Sequence, residues 1–542
     1  MLRFLFFEKG VEQFTTLRHN LKISSCRIFS TLDRSNHSKM HTKPALFRIY
    51  NLFRQSQLFL LGITLFCGAE MRAQSDNYWS WNFNTPSVLL AGSVVGGNAG
   101  SSSVFYNPSL INNDSIPSLS ISANVLSLQF FKGENIAGEG INTDKFIFKV
   151  QPRFVSYVFP TKNNKFGIEA AILSPVSEEV NFTIQHTDEV DIIERTLGLE
   201  NYDGYLKYSR KYEDIWVGAG FSYELSENLS VGFSTFLAVK TMKYTYQQDA
   251  DAYQKTDSVQ LEDQLIPRYI AENKLKEEVK YWDLSFVFKF GARYKTDNER
   301  FSIGANITLP NLHIYGEGDV RKSTIRSNVF DNEQGSFVSN ESNLEFDQKI
   351  SANVKSPFSA ALGLQYFTKS RKNFISLTTE YFHNIDPYSV VSYKGSENMF
   401  EDIFDNPVMS YTTAAKSVTN VGIGWKQFIS SDFFLLGGFR TDFTVAETNK
   451  LGIFGDENEL NRIHMDKYHL SVGPVFSMKN FKVITGIQYT FGRNNNMQQI
   501  VSFTEPVEYI SSIDQSLYGR KDTSASASLN EISLFLGVTV GL

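Results

Sequence analysis

The sequence predicts an all-β fold: a transmembrane antiparallel β-barrel of about 14 strands with an N-terminal hatch plug in its lumen. Three observations predict it. The composition is aromatic and strand-forming. Most of the chain is a succession of segments that alternate with period two. A short apolar leader is followed by a Gly-, Ser- and Asn-rich stretch, which precedes the first such segment.

The chain has 542 residues, with 46 Phe, 25 Tyr and only 14 Pro. Aromatic residues make up 14%, and they favour a pleated surface. Mean hydropathy is −0.23, which excludes a bundle of membrane helices. Length alone would suggest several soluble domains, but the strand pattern overrides that.

The first element is a leader. The run LFLLGITLFCGA at residues 58–69 has 12 residues, whereas a spanning helix needs about 20. Lys43, Arg48 and Arg54 precede it, and small Ala73 follows. That is the order of a secretory signal. Residues 40–73 are therefore expected to be a signal peptide starting at Met40 and cut after Ala73. Residues 1–39 are expected to be a mis-assigned start extension.

Removing residues 1–73 takes away 11 Lys and Arg and 4 Asp and Glu. That leaves 52 − 11 = 41 basic and 58 − 4 = 54 acidic residues, a net charge of −13. Such a chain repels nucleic acid. Cys26 and Cys67 both fall in the leader, so no disulfide or thiolate metal site is expected after cleavage.

The second element is the expected hatch, residues 74–116. Trp79, Trp81, Phe83, Leu89 and Leu90 supply apolar bulk for packing inside a barrel. The glycines and serines of GSVVGGNAGSSS, residues 92–103, let backbone thread a crowded lumen. No Lys-Ser/Thr pair closes this stretch, so it is not a phosphate loop.

The third element is the barrel itself, residues 117–542. NEISLFLGVTVGL at the C-terminus places Ile532, Leu534, Leu536, Val538, Val540 and Leu542 on one parity, with Phe535 the exception. LSFVFKFGARY sets Leu284, Phe286, Phe288, Phe290, Ala292 and Tyr294 against Lys289, Gly291 and Arg293. FGIEAAIL, FSAALGLQYF and FKVITGIQYTF repeat the pattern. About fourteen such segments, mostly nine to thirteen residues long, match tilted transmembrane strands. Backbone groups in lipid must all be paired, so the strands must close. Tyr157, Phe159, Tyr223, Tyr281, Trp282, Tyr294, Tyr381 and Phe382 are expected in interfacial girdles.

PTKNNK and SENLS are expected as periplasmic turns. The polar stretches at 241–282, 315–343 and 448–464 are expected as extracellular loops, with a short helix within 265–279.

In KFIFKVQPRFVSYVF, Phe146, Phe148, Val150 and Phe154 are expected outward, and Lys149, Gln151 and Arg153 inward. Lys149, Arg153, Lys289 and Arg293 are the candidate ligand-binding residues, because an inward cation can hold a carboxylate. The plainer role for each is pairing with a lumen acid such as Glu169. His186, His313, His383, His464 and His469 have no metal spacing; His464 and His469 are expected at the rim or in loops. No catalytic residues, metal or cofactor are expected.

Phe105, Tyr106, Asn107, Pro108 and Ser109 carry a resemblance. AGSVVGGNAGSSSVFYNPSLI resembles the hatch of the FadL/TodX family of outer-membrane transporters for long-chain fatty acids and other hydrophobic compounds. Their hatch has a small-residue run, an aromatic and Asn-Pro-Ala; here Ser109 stands for the alanine. The resemblance implies a fourteen-stranded barrel in the bacterial outer membrane that admits hydrophobic molecules through a lateral opening. It implies a monomer whose partners are membrane lipid and a hydrophobic small molecule, working without ATP. FadL-like barrels also serve as protein-binding components of secretion complexes, and the hatch motif does not separate the two roles.

Overall fold

A computed structural model describes residues 76–542 apart from 81–82, 98, 114–116, 163–164, 194, 196–197, 256–257, 262–263, 268–269, 393–410 and 447–461. The expected leader, both cysteines, Trp81 and the loop stretch 448–461 lie outside the described residues.

Fourteen strands wind up and down in chain order. They are β1 (Ser118–Glu134), β2 (Thr143–Val158), β3 (Phe166–Val190), β4 (Glu200–Glu224), β5 (Leu229–Gln254) and β6 (Ile270–Lys295). Four strands come in two collinear pieces: β7 (Phe301–Thr308, Leu312–Ser327), β8 (Glu341–Ala352, Ser359–Phe367), β9 (Phe374–Phe382, Ile385–Ser392) and β10 (Tyr411–Ala415, Val418–Phe428). The last four are β11 (Phe433–Asp442), β12 (Asp466–Met478), β13 (Phe481–Met497) and β14 (Ala525–Gly541). Every neighbour pair is antiparallel, and β14 returns to β1 from Ser118↔Gly541 to Glu134↔Ser526, closing the barrel.

The outward parity read from the sequence holds along the wall. Phe286, Phe290 and Tyr294 on β6, Leu362 and Tyr366 on β8, Ile487 and Tyr489 on β13, and Ile532 and Leu536 on β14 are all exposed. This is an apolar belt for lipid. Phe535, the exception in its strand, is buried against the lumen contents.

Strand length departs from expectation. β3, β4, β5 and β6 have 25, 25, 26 and 26 residues, twice what a membrane requires. The segments expected as loops at 241–282 and 315–343 are largely strand. The described residues of 265–279 form no helix, because Ile270 onward pairs with β5 residue for residue. Their polar outer face concealed the alternation. The inner face carries Phe182, Tyr208, Tyr244 and Tyr246, all buried. Phe182 stacks on Tyr208 at 5.2 Å, and Tyr208 meets Tyr244 edge-on at 5.9 Å. This second core lies above the membrane and is capped by the β13–β14 connection: Tyr202 Oη donates to Leu517 O at 2.8 Å, and Tyr518 Oη to Asn273 O at 2.9 Å.

Two girdle assignments also change. Tyr281 and Phe382 face inward and are buried, while Trp282, Tyr294, Tyr223, Phe159 and Tyr381 are exposed as expected.

Candidate functional site

The described residues of 76–113 pack inside the barrel, most of them buried. Helix α1 (Thr85–Leu89) starts on Asn84, whose Oδ1 accepts from Ser87 N at 3.2 Å, with Pro86 in the first turn. Pro there removes an amide that would be unpaired anyway. A 3-10 turn at Gly100–Ser102 leads into α2 (Ser103–Tyr106), and a second at Pro108–Asn113 leads to the wall.

The motif residues form the joint between these turns. Phe105, Tyr106, Asn107 and Ser109 are all buried. Asn107 Nδ2 donates to Val95 O at 2.8 Å and to Ala292 O at 3.2 Å. Its Oδ1 accepts from Ser109 N at 3.1 Å and Ser109 Oγ at 2.7 Å. One side chain thus ties two plug segments to β6. The hydroxyl that distinguishes Ser109 from the resembled alanine supplies one of those bonds. Phe105 packs on Phe83 at 4.9 Å and Trp216 at 5.4 Å.

The wall is shaped to receive this plug. A Cβ on Gly232 would strike Pro108 and Ser109, one on Gly291 would strike Asn107, and one on Gly363 would strike Gly96 and Val95. The inward glycines, read from sequence only as lumen-lining, are the seat of the hatch. Glu169, expected as a partner for lumen cations, instead accepts from the plug amide Val104 N at 3.1 Å.

The N-terminal end of the plug is tied from the other side. Buried Asp76 accepts from Arg210 Nη1 at 2.5 Å and from Arg462 Nε at 3.0 Å and Nη2 at 2.5 Å. Burial alone would raise its pKa; the fields of Arg210 and Arg462 outweigh that and hold it well below the ordinary carboxylate range. Trp79 N donates to Asp442 Oδ1 at 2.9 Å and Trp79 Nε1 to Glu380 Oε2 at 2.8 Å. Sequence reasoning missed Asp76, since a single carboxylate carries no pattern.

Beside this latch the wall is open. β2 pairs with β3 only from Phe154↔Leu173 to Val158↔Glu169. Above that, β2 pairs with β1 alone and β3 with β4 alone. The cause is local. Pro175 cannot donate to a ladder, and β3 shifts register between Leu173 and Val176. β2 bulges at Pro152–Arg153, where its pairing with β1 slips. A bulge re-aims side chains: Phe154, expected outward, turns in to meet Phe83 at 5.9 Å. The outer lip remains apolar, with Phe146 54% and Phe148 60% exposed.

The slit leads to a cavity of about 90 Å³ whose wall includes Asp76, Gln151, Arg153, Glu178, Lys467 and Glu531. Lys149 reaches across the slit to Glu179 at 3.4 Å, an acid on the outward parity of β3 opposite Lys211, so its partner is an acid at the lip and not one in the lumen. Lys467 pairs with Glu178 at 2.9 Å. Arg153 is 7% exposed, and its Nε meets no hydrogen-bond partner among the described residues. Two buried acids, Glu213 and Glu531, lie near enough for their charge to act on it.

The other two candidates lie apart. Lys289 donates to Thr308 Oγ1 at 2.9 Å and sits 4.4 Å from the Phe105 ring, against the plug. Arg293 is nearer the periplasmic end, with Nε 3.4 Å from Ser302 Oγ. His469, expected at the rim, is buried on β12 and bonded to Thr490 at 2.8 Å. His464 precedes β12 in the loop. Below the plug, a larger cavity of about 400 Å³ opens between Leu90, Leu110, Phe434, Leu436 and Val475.

No family model and no curated protein matches the sequence. Solved structures do match in fold. A FadL homologue from Pseudomonas aeruginosa aligns with a TM-score of 0.51 at 12% identity, over 87% of this chain and 100% of that one. The toluene transporter TodX of P. putida aligns with a TM-score of 0.50 at 12% identity, over 85% and 99%. A TodX variant described as a monoaromatic hydrocarbon channel aligns with a TM-score of 0.53 at 12% identity, over 85% and 99%. This chain has the plugged-barrel fold of the FadL and TodX proteins.

Proposed function

We propose that this chain is an outer-membrane channel that takes up hydrophobic molecules, long-chain fatty acids among them, by passive passage through the wall. The observation that carries the reading is the slit between β2 and β3, which joins a lipid-facing apolar lip to an internal cavity. A ligand partitions into the outer leaflet, enters past Phe146 and Phe148, and presents any carboxylate to Arg153. Displacement of the plug then connects the upper cavity to the larger one below it. The motif residues Phe105 to Ser109 hold the plug in its closed seat. The free energy comes from the ligand gradient and from burial of its apolar surface.

The test uses the absence of cysteine downstream of the predicted leader. A K149C/E179C variant, reconstituted in liposomes, is joined across the slit with a reducible bis-methanethiosulfonate cross-linker. Uptake of a labelled long-chain fatty acid should stop on cross-linking and return on reduction. Uptake that continues through the closed slit refutes the lateral route. A folded barrel with no uptake in either state favours the protein-docking role.

A further inference from the structure

The outer face carries a charge arrangement that uptake does not need. Register places Lys211 on β4 directly opposite Lys243 on β5, and Lys243 directly opposite Lys280 on β6. All three are on the outward parity, with Lys280 exposed and the other two half-buried. Like charges directly opposite one another destabilise a sheet, and here three stand in one row of a chain whose formal net charge is −6. Acids flank the row at its ends: Glu179 faces Lys211, and Asp319 faces Lys280. One step above, Arg321 stands opposite Glu278, and Glu278 pairs with Lys276 at 2.9 Å.

Height identifies the partner. Lys280 is the next outward position above Trp282, which meets Tyr315 at 5.3 Å in the girdle. Tyr294 marks the opposite girdle on the same strand. The twelve residue steps from Trp282 to Tyr294, at ~3.3 Å each and ~40° of tilt, span roughly 30 Å along the normal. That is the hydrocarbon thickness. The lysine row therefore stands at the headgroup level of the outer leaflet.

We propose that Lys211, Lys243 and Lys280 form a docking site for the phosphate groups of an outer-leaflet glycolipid. The phosphates relieve the like-charge row, while the acyl chains lie along the belt below, against Leu284 and Phe286. The site sits on the wall that continues from the slit, because Glu179 at its end is the residue that bridges to Lys149.

The test compares lipid retention by native mass spectrometry, with bisphosphorylated lipid A and its phosphate-free counterpart as probes. Wild type is set against K211Q/K243Q/K280Q and against a control with equal charge loss, K369Q/K372Q/K479Q, on the periplasmic turns. A surface lysine near an anionic headgroup contributes about five-fold, so the row variant should lose at least ~10-fold in retention of the phosphorylated lipid. The control should match wild type, and the phosphate-free lipid should bind all three alike. In phosphate-free detergent both variants should keep the wild-type folded barrel, so that a loss of retention is not a loss of fold. Equal retention by the row variant, or equal loss in the control, overturns the site. Equal loss of the phosphate-free lipid overturns phosphate as its ligand.

Discussion

Replacing Asp76 with Asn should free the hatch without unfolding the barrel. Asp76 accepts three charge-assisted bonds, from Arg210 Nη1 and from Arg462 Nε and Nη2. Breaking a buried pair by removing one partner costs about 3–5 kcal/mol, because the other charge stays buried. Asn keeps an acceptor oxygen, so the lower end applies: about 3 kcal/mol, or roughly a hundredfold in an opening equilibrium at ~1.4 kcal/mol per decade. The loss should be local, because the plug can open as its own unit. The assay is hydrogen exchange followed by mass spectrometry. Val88, Leu90 and Gly92 donate within the plug, to Asn84, Pro86 and Ser87 carbonyls respectively. Their exchange should speed up by about two decades, while β13 and β14 are unchanged. Unaltered exchange at these amides in D76N would refute the latch. Equal acceleration across the barrel would show that Asp76 stabilises the whole fold and not the plug.

Other outcomes follow from the same geometry. Since the pKa of Asp76 is depressed in the folded state, its stabilisation is complete above the ordinary carboxylate value and fades only as pH falls through the lowered one. Plug exchange, corrected for intrinsic rates, should be flat from pH 8 to pH 5; a rise within that window would contradict the assignment. R153Q should cut uptake of a fatty acid by about 10-fold or more, the worth of a hydrogen bond to a charged group, and leave a neutral aromatic hydrocarbon unaffected. Equal effects on both would remove Arg153 from ligand recognition. G363V should unseat the plug by collision with Gly96 and Val95, raising ion conductance in planar bilayers while the barrel still folds. S109A deletes one bond to Asn107 and should lower plug stability by ~1 kcal/mol, whereas N107A removes all four bonds of that side chain and should cost about 3 kcal/mol; thermal melts separate the two.

What the sequence made legible was whatever repeats. Outward parity at Phe286, Phe290 and Tyr294 needs only period two and a lipid face, and it is found as read. The hatch was legible from composition and from Asn107-Pro108. Three things were not. The upper halves of β3 to β6 carry polar residues outside and tyrosines inside, so a scan for membrane-length strands stops at Trp282 and takes the rest for loop. The direction of Phe154 depends on a bulge at Pro152–Arg153, and a one-residue slip reverses a face. The charge partners of the plug are long-range: Asp76 and Arg462 lie 386 residues apart, and no local pattern joins them. Of the four cations singled out from parity, Arg153 and Lys149 meet at the slit, while Lys289 and Arg293 lie elsewhere along the lumen.

The seat of glycines in the wall has a consequence for biogenesis. Plug and wall are cut to one another's surfaces, so neither reaches its final shape alone. The plug is continuous with β1, and the seam between β1 and β14 joins residues from opposite ends of the barrel sequence, such as Ser118 and Gly541. Such distant pairing is entropically the slowest to form. The plug therefore has the whole interval before the seam zips to enter a sheet that is still open, and a wall variant that rejects it should be caught as a stalled, unsealed precursor at the assembly machinery.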